Sequence, residues 1–332
     1  MRNGKRCRAN MEALKPARSN LDVFAETLSS LAAEDPDLLV VTGDSRGSAK
    51  LTSFGKQFPD HLVEVGIAEQ NLVGISAGLA AAGKHVFAVS PASFLTARAL
   101  EQIKNDVAYS DHPVKLIGIS AGVSYGSLGT THHSLHDLAA LQAINNMDIV
   151  VPADNFEAAQ SIRAALQHPR PIFVRFGKKP MPASHGPNTH FEIGKAIQLM
   201  ETHGEYEAAF IAIGEAVTPA YLACQALAEK GVSCCGLSLH SLRPFDEEAV
   251  RRAAEQSRIV ITVEEHSVLG GLGSRVASFL MQAGIFRPLR IVGIPDEHTV
   301  TGSQVEIFNH YGISAEGLSR AALALLGKRT AA

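Results

Sequence analysis

Leu38-Leu39-Val40-Val41-Thr42-Gly43-Asp44 is a short apolar run that ends in a glycine and an acid. That is the pattern of a buried strand running into a loop. Upstream, Leu21 to Ala33 is amphipathic and is stopped by Glu34-Asp35-Pro36-Asp37. Downstream, Val65-Gly66-Ile67-Ala68-Glu69-Gln70-Asn71 opens a helix of small apolar residues that reaches Gly83, and His85 to Val89 is the next strand. The order continues with helix Leu95 to Tyr109, strand Val114 to Ile119, helix Asp137 to Ile144, strand Asp148 to Val151, helix Asn155 to Leu166 and strand Pro171 to Arg175. This alternation predicts an α/β domain built on a mainly parallel sheet with helices on both faces.

Residues 176–190 carry three prolines and two glycines and read as a linker. Beyond them the alternation restarts with strand Ala208 to Ile213, helix Ala216 to Lys230, strand Ser233 to Leu239 and helix Glu247 to Gln256. Strand Ile259 to Val263, helix Leu272 to Gln282 and strand Leu289 to Gly293 follow. The expectation is two α/β domains, residues 16–180 and 191–328, joined by a linker over 181–190.

A net charge of −3 and a pI near 6.5 leave no electrostatic footprint for nucleic acid or an anionic membrane. No apolar run has the roughly 18–20 residues that cross a bilayer. Arg2, Lys5, Arg6 and Arg8 form a basic cluster with no apolar stretch behind it, so residues 1–15 read as a disordered, solvated tail, with an organellar presequence as the alternative. Cys7, Cys224, Cys234 and Cys235 have no C-x-x-C spacing. Reduced thiols and a cytoplasmic location are the expectation.

Glu69 stands among Val, Ile, Ala and Gly. A buried carboxyl without a cationic partner is held neutral near pH 7 and can donate a proton to a nitrogen heterocycle. The alternative is an acid placed only to suit the helix macrodipole. Phe94, in Ser90-Pro91-Ala92-Ser93-Phe94-Leu95, sits where a strand turns into a helix, a place where α/β sheets bind ligands and an aromatic can stack on a flat ring. Thr130-Thr131-His132-His133-Ser134-Leu135-His136 follows the strand that ends at Ile119. Its histidines suit proton transfer; His132 and His136 have the spacing of a metal pair, but the glycines and threonines before them make a loop and no third ligand is evident. Gly270-Gly271-Leu272-Gly273 resembles a phosphate loop, but Glu264-Glu265-His266 beside it would repel a phosphate, which favours a tight turn opening a helix.

Together, Gly66-Ile67-Ala68-Glu69-Gln70-Asn71, Ser93-Phe94-Leu95 with Arg98, Glu101 and Gln102, and Thr131-His132-His133-Ser134 resemble the C-terminal half of transketolase, and more closely the small subunit of the split, two-chain transketolases. The resemblance spans roughly residues 16–328. It implies a pyrimidine-binding domain of the thiamine diphosphate fold, a transketolase C-terminal domain, and thiamine diphosphate as cofactor. By the match, Glu69 hydrogen-bonds N1′ of the aminopyrimidine and promotes the tautomer that deprotonates the thiazolium carbon. Phe94 packs on the pyrimidine, Ile67 and Asp44 lie near the cofactor, and Asp44 also lies near the dimer contact. His132 assists proton transfer and meets substrate hydroxyls. Arg18, Ser48 and Lys178 fall near the sugar-phosphate positions.

Three departures bear on the sugar. Lys178 stands where the family usually has Arg, so a bidentate fork becomes a point charge. Ser120 stands where many members have His, and Leu128 where longer enzymes have an Asp that reads a hydroxyl. The chain also lacks a Gly-Asp-Gly motif for Mg²⁺ and diphosphate, since Gly43-Asp44-Ser45 lacks the last glycine. The resemblance therefore implies that Mg²⁺ ligands lie on a larger partner subunit, in a heterotetramer acting on sugar phosphates. The rival reading is the beta subunit of a 2-oxo acid dehydrogenase's decarboxylating component, which has a similar length and the same dependence on a partner. 1-Deoxyxylulose-5-phosphate synthase is a further relative, but it is one long chain. A degenerate, non-catalytic subunit is the remaining alternative, against which Glu69, Phe94 and His132 argue.

Overall fold

A computed structural model describes residues 18–186, 188–200 and 205–328. The expected basic tail over residues 1–15, with Cys7, lies outside the described residues. The first sheet contains β1 (Leu38–Thr42), β2 (Leu62–Glu64), β3 (His85–Pro91), β4 (Lys115–Ile119), β5 (Asp148–Val150) and β6 (Ile172–Arg175). The second contains β7 (Ile197–Met200), β8 (Tyr206–Ala212) and β9 (Cys234–Ser238); β10 (Ser241–Arg243) crosses to the first sheet, and β11 (Ser257–Ser267) and β12 (Leu289–Ile294) complete the second. The orders are β10-β5-β6-β4-β3-β1-β2 and β12-β11-β8-β9-β7. Pairings between these strands are parallel except β10 on β5 and β7 on β9.

The strands form where apolar residues run together. Every residue of β4 is buried, as expected of a central parallel strand covered on both faces. Phe24, on the helix Asn20–Ala32, meets Phe176 at the end of β6 with ring centroids 5.6 Å apart. Both rings are fully buried, and burying a side chain of this size contributes about 1.5–3 kcal/mol.

The single helix expected over Leu95 to Tyr109 is broken. The helix Ala92–Arg98 ends at Ala99, and wider turns run over Ile103–Tyr109. The break lets Phe94 and Arg98 face one way while Ile103 and Val107 stay fully buried. The residues after β6 are held down rather than free. Buried His185 places Nδ1 2.7 Å from Asp154 Oδ2 and Nε2 3.0 Å from Glu157 Oε1. Asp154 also caps the helix Asn155–Gln167, accepting from Phe156 N and Glu157 N.

β1 has β2 on one side and β3 on the other, so the chain leaves β1 and β3 in opposite directions. In an open α/β sheet this opens a crevice at the carboxyl ends of the two strands.

Candidate active site

The loops leaving β1, β2, β3 and β4 meet over that crevice. They enclose a cleft of about 400 Å³ lined by Asp44, Ser45, Ser48, Ile67, Glu69, Pro91, Phe94, Arg98, Tyr125, Leu128 and His132. Six residues singled out from the sequence, Asp44, Ser48, Ile67, Glu69, Phe94 and His132, are thus brought together from positions up to 88 apart in the chain.

Glu69 is the first residue of the helix Glu69–Ala81 and is 5% exposed. The expectation of a carboxyl without a cationic partner is corrected here. Arg98 Nη1 donates to Glu69 Oε2 at 2.5 Å. Phe94 and Arg98 are four residues apart on one helix and share its cleft-facing side, and the guanidinium carbon lies 5.3 Å from the Phe94 ring centroid. The acid and the aromatic ring are therefore both engaged by one planar cation.

His132 is half-buried, with its ring edge-on to Phe94 at 5.4 Å and to Tyr125 at 5.7 Å. Thr131 Oγ1 lies 3.0 Å from its Nδ1. His133 turns away, with Nε2 3.2 Å from the Gly126 carbonyl, and burial lowers its pKa. His136 approaches Thr96, with Nε2 3.4 Å from Oγ1. The three histidines thus face different partners. No group of three or more His, Cys, Asp or Glu side chains among the described residues is placed to hold a metal ion.

The phosphate-end residues divide. Lys178 Nζ lies 4.7 Å from the ring centroid of Tyr125, which lines the cleft. Arg18 does not line the cleft; it is 57% exposed and pairs with Glu26 at 2.6 Å. Ser120 is buried in a left-handed backbone conformation, φ 52°, and Leu128 is 53% exposed at the cleft. Sequence reasoning missed Tyr125 altogether and used Arg98 only as a marker of resemblance. The four-residue spacing from Phe94 was the available signal for Arg98.

Gly270–Gly273 opens a helix, and the negative charge there is the chain's own. Glu264 accepts from Leu272 N at 2.7 Å and Gly273 N at 2.8 Å. Burial raises the Glu264 pKa to about 7 against those hydrogen bonds. A carboxylate already fills the helix N-terminus that a phosphate would use.

Ser45 tests whether a ligand suits the cleft. Its hydroxyl is sealed at the cleft wall with no hydrogen-bond partner among the described residues. A buried polar atom of this kind is normally satisfied, so the cleft offers it to a molecule that completes the site. An acid, an aromatic ring and a histidine around that hydroxyl match the chemistry of a flat, nitrogen-rich ring.

Comparison with known proteins gives a consistent result. The family model described as "Transketolase, pyrimidine binding domain" matches residues 17–183, and "Transketolase, C-terminal domain" matches residues 198–318. One of the two subunits of an apulose-4-phosphate transketolase from Phocaeicola vulgatus is 46% identical over 92% of this chain and 96% of its own length. A 6-deoxy-6-sulfo-D-fructose transketolase subunit of a Clostridium species is 33% identical over 91% of this chain and 92% of its own. Among solved structures, one described as a split gene transketolase, an inactive beta4 tetramer, superposes with a TM-score of 0.83 at 32% identity, covering 94% of this chain and 99% of that one.

Proposed function

The chain belongs to the transketolase family, and from that premise we propose that it is one half of a two-chain transketolase that moves a two-carbon ketol unit from a ketose phosphate to an aldose phosphate. The family implies thiamine diphosphate dependence, and the split relatives imply a partner subunit. The observation that carries the reading is the meeting of Glu69, Phe94 and His132 in one cleft.

Thiamine diphosphate, when bound, supplies the nucleophilic carbon and the electron sink for cleaving a carbon–carbon bond. In the reading proposed here, the chain holds the pyrimidine end. Glu69 holds a proton toward N1′, which requires Arg98 to share or yield its hold on the carboxyl. The Phe94 ring offers a face for stacking, and Ile67, 73% exposed, offers apolar surface beside it. Asp44 lies on the same wall, toward the partner. His132 moves a proton at the substrate's hydroxyls. Ser48, and Lys178 by way of Tyr125, suit the phosphate end. Mg²⁺ and the diphosphate belong to the larger chain, and a heterotetramer with two copies of each is the assembly proposed. Cys224 and Cys234 are reduced and buried, which supports a cytoplasmic setting.

Relatives named for apulose-4-phosphate and for 6-deoxy-6-sulfo-D-fructose support a sugar from a dedicated catabolic route. So does Leu128, an apolar side chain at the cleft. The test is to co-express the chain with a large subunit encoded beside it and assay ketol transfer across a panel of ketose phosphates, against oxidative decarboxylation of pyruvate. Ketol transfer by the pair, and none by this chain alone, is the expected result. A pair that only decarboxylates pyruvate overturns the reading in favour of a 2-oxo acid dehydrogenase component.

A further inference from the structure

The loop that carries Tyr125, Leu128 and His132 into the cleft rests on the second domain, and acids make the seat. Val123 N donates to Glu265 Oε1 at 2.9 Å. Gln304 Nε2 donates to that same oxygen at 2.8 Å and to Glu215 Oε2 at 2.6 Å. One amide nitrogen thus spends one hydrogen on each carboxyl. Glu215 and Glu265 are each 3% exposed. Glu215 Oε1 has no hydrogen-bond partner among the described residues. Burying a charged carboxylate oxygen without a donor is far more costly than burying a neutral one.

The packing leaves no room for relief. A Cβ on Gly122 would fall 2.2 Å from Glu265 Cδ, and one on Gly177 would fall 1.8 Å from Glu215 Oε1. The charged groups that face the pair are few. Arg175 gives Nε to Asp137 at 2.8 Å and Nη2 to the carbonyls of Ser134 and Glu265. Lys179 acts on Glu215 only through its field. Glu264 is committed to Leu272 N and Gly273 N. His266 lies 3.5 Å from Asp137 and 3.9 Å from Glu264, and burial lowers its pKa to about 4, so it brings no charge near neutrality. Among the described residues, a single buried guanidinium is therefore shared by Asp137, Glu265 and Glu215.

We propose that Glu215 and Glu265 hold one proton between them and act as a positioning clasp for the loop that presents His132 to the cleft. With the proton present, the Gln304 bridge holds Val123 and the loop in place. Its loss sets two like charges on one amide and loosens the seat. Neither carboxyl lines the cleft, so both act through the loop. Burial, followed by the charge of Glu265, raises Glu215 to about 8, and burial raises Glu265 as well. The direction follows from linkage: a carboxyl whose folded pKa is raised contributes stability fully present below its ordinary value, and that contribution is lost as pH rises through about 8.

The test is hydrogen exchange of residues 122–134 in the full chain from about pH 6 to about pH 9, corrected for intrinsic exchange. Protection is expected to fall about tenfold in the wild type and to stay level in Glu215→Gln, an isosteric side chain that cannot ionise. Gln304→Met removes the donor that eases ionisation and should move the fall to higher pH. A level wild-type profile, or variants that both follow the wild type, overturns the proposal. The activity arm rests on the functional reading above: in the assembled enzyme, Glu215→Gln should lose the alkaline limb of kcat with KM unchanged, and an unaltered limb counts against the clasp. If the exchange results hold but the pair transfers no ketol unit, the functional reading fails and the clasp stands.

Discussion

The cleft and the seam beneath it use the same side chains in opposite ways. In the cleft, Glu69 has one cation, Arg98, that is 48% exposed, and the Ser45 hydroxyl has no partner among the described residues. In the seam, Asp137 is fully buried and its cation, Arg175, is 5% exposed and also ties Ser134 to Glu265 across the domains. The cleft keeps its polar groups open for something that arrives, whereas the seam closes its polar groups on one another. One set should therefore govern activity with little effect on folding, and the other should do the reverse.

The largest expected effect comes from breaking the seam. Arg175→Met leaves Asp137 buried beside a neutral His266, and removing one partner of a buried ion pair costs about 3–5 kcal/mol. Urea unfolding of the chain measures it. A loss under about 1 kcal/mol would mean that the seam tolerates an unpaired charge and the contrast with the cleft is false.

Glu69→Gln tests the other side. Ketol transfer by the assembled enzyme should fall by about 100-fold or more. Stability of the free chain should change by about 1 kcal/mol or less, because the lost pair includes a half-exposed arginine screened by solvent. Near-full activity would remove Glu69 from the chemistry. A stability loss as large as that of Arg175→Met would make Glu69 a structural acid.

A smaller effect belongs to His185, a second closed cluster. Burial alone would lower its pKa, but the carboxylates of Asp154 and Glu157 overrule it and raise it to about 10. The stabilisation is therefore fully present below the ordinary value of 6.5 and is lost as pH rises through about 10. Unfolding free energy should decline across that window in the wild type and decline less in His185→Gln. Equal slopes would show that the charged imidazolium is not what holds residues 184–185 to the first domain.

The same contrast separates what was legible in the sequence from what was not. Leu38–Thr42 and Lys115–Ile119 announce themselves because a central parallel strand needs a continuous apolar run. Leu62–Glu64 and Ser241–Arg243 do not, since three residues carry no period and each strand exists only through a distant partner, as Ser241 pairs with Val150. The helix Gln304–His310 did leave a local mark, the capping box of Ser303 and Glu306, which periodicity alone passes over. Glu69, Phe94 and His132 were visible because each lies within a short motif. The Arg98 contact was not visible, because the 29 residues between Glu69 and Arg98 fold through a strand before the two meet. The seam was least visible of all. Val123 and Glu265 stand 142 residues apart, and Glu264-Glu265-His266 read only as local negative charge.

The smallest expected effect is at the rim, where the resemblance and the geometry diverge. Arg18 and Lys178 both fall near family phosphate positions, but only Lys178 reaches a cleft residue. Arg18 spends its guanidinium on Glu26, both more than half exposed, and a pair of that kind contributes about 0–1 kcal/mol. Arg18→Ala should therefore leave stability within about 0.5 kcal/mol and KM for a ketose phosphate within about twofold. Lys178→Ala should raise that KM by about tenfold with kcat little changed, the signature of lost ground-state binding. Lys178→Arg separates charge from shape: a guanidinium keeps the charge and adds a second donor, so KM should hold or fall. If Arg18→Ala instead raises KM as much as Lys178→Ala, the substrate's far end lies along the Arg18–Glu26 edge. The open part of the site would then extend past the cleft, and the line between open and closed surfaces would have to be redrawn there.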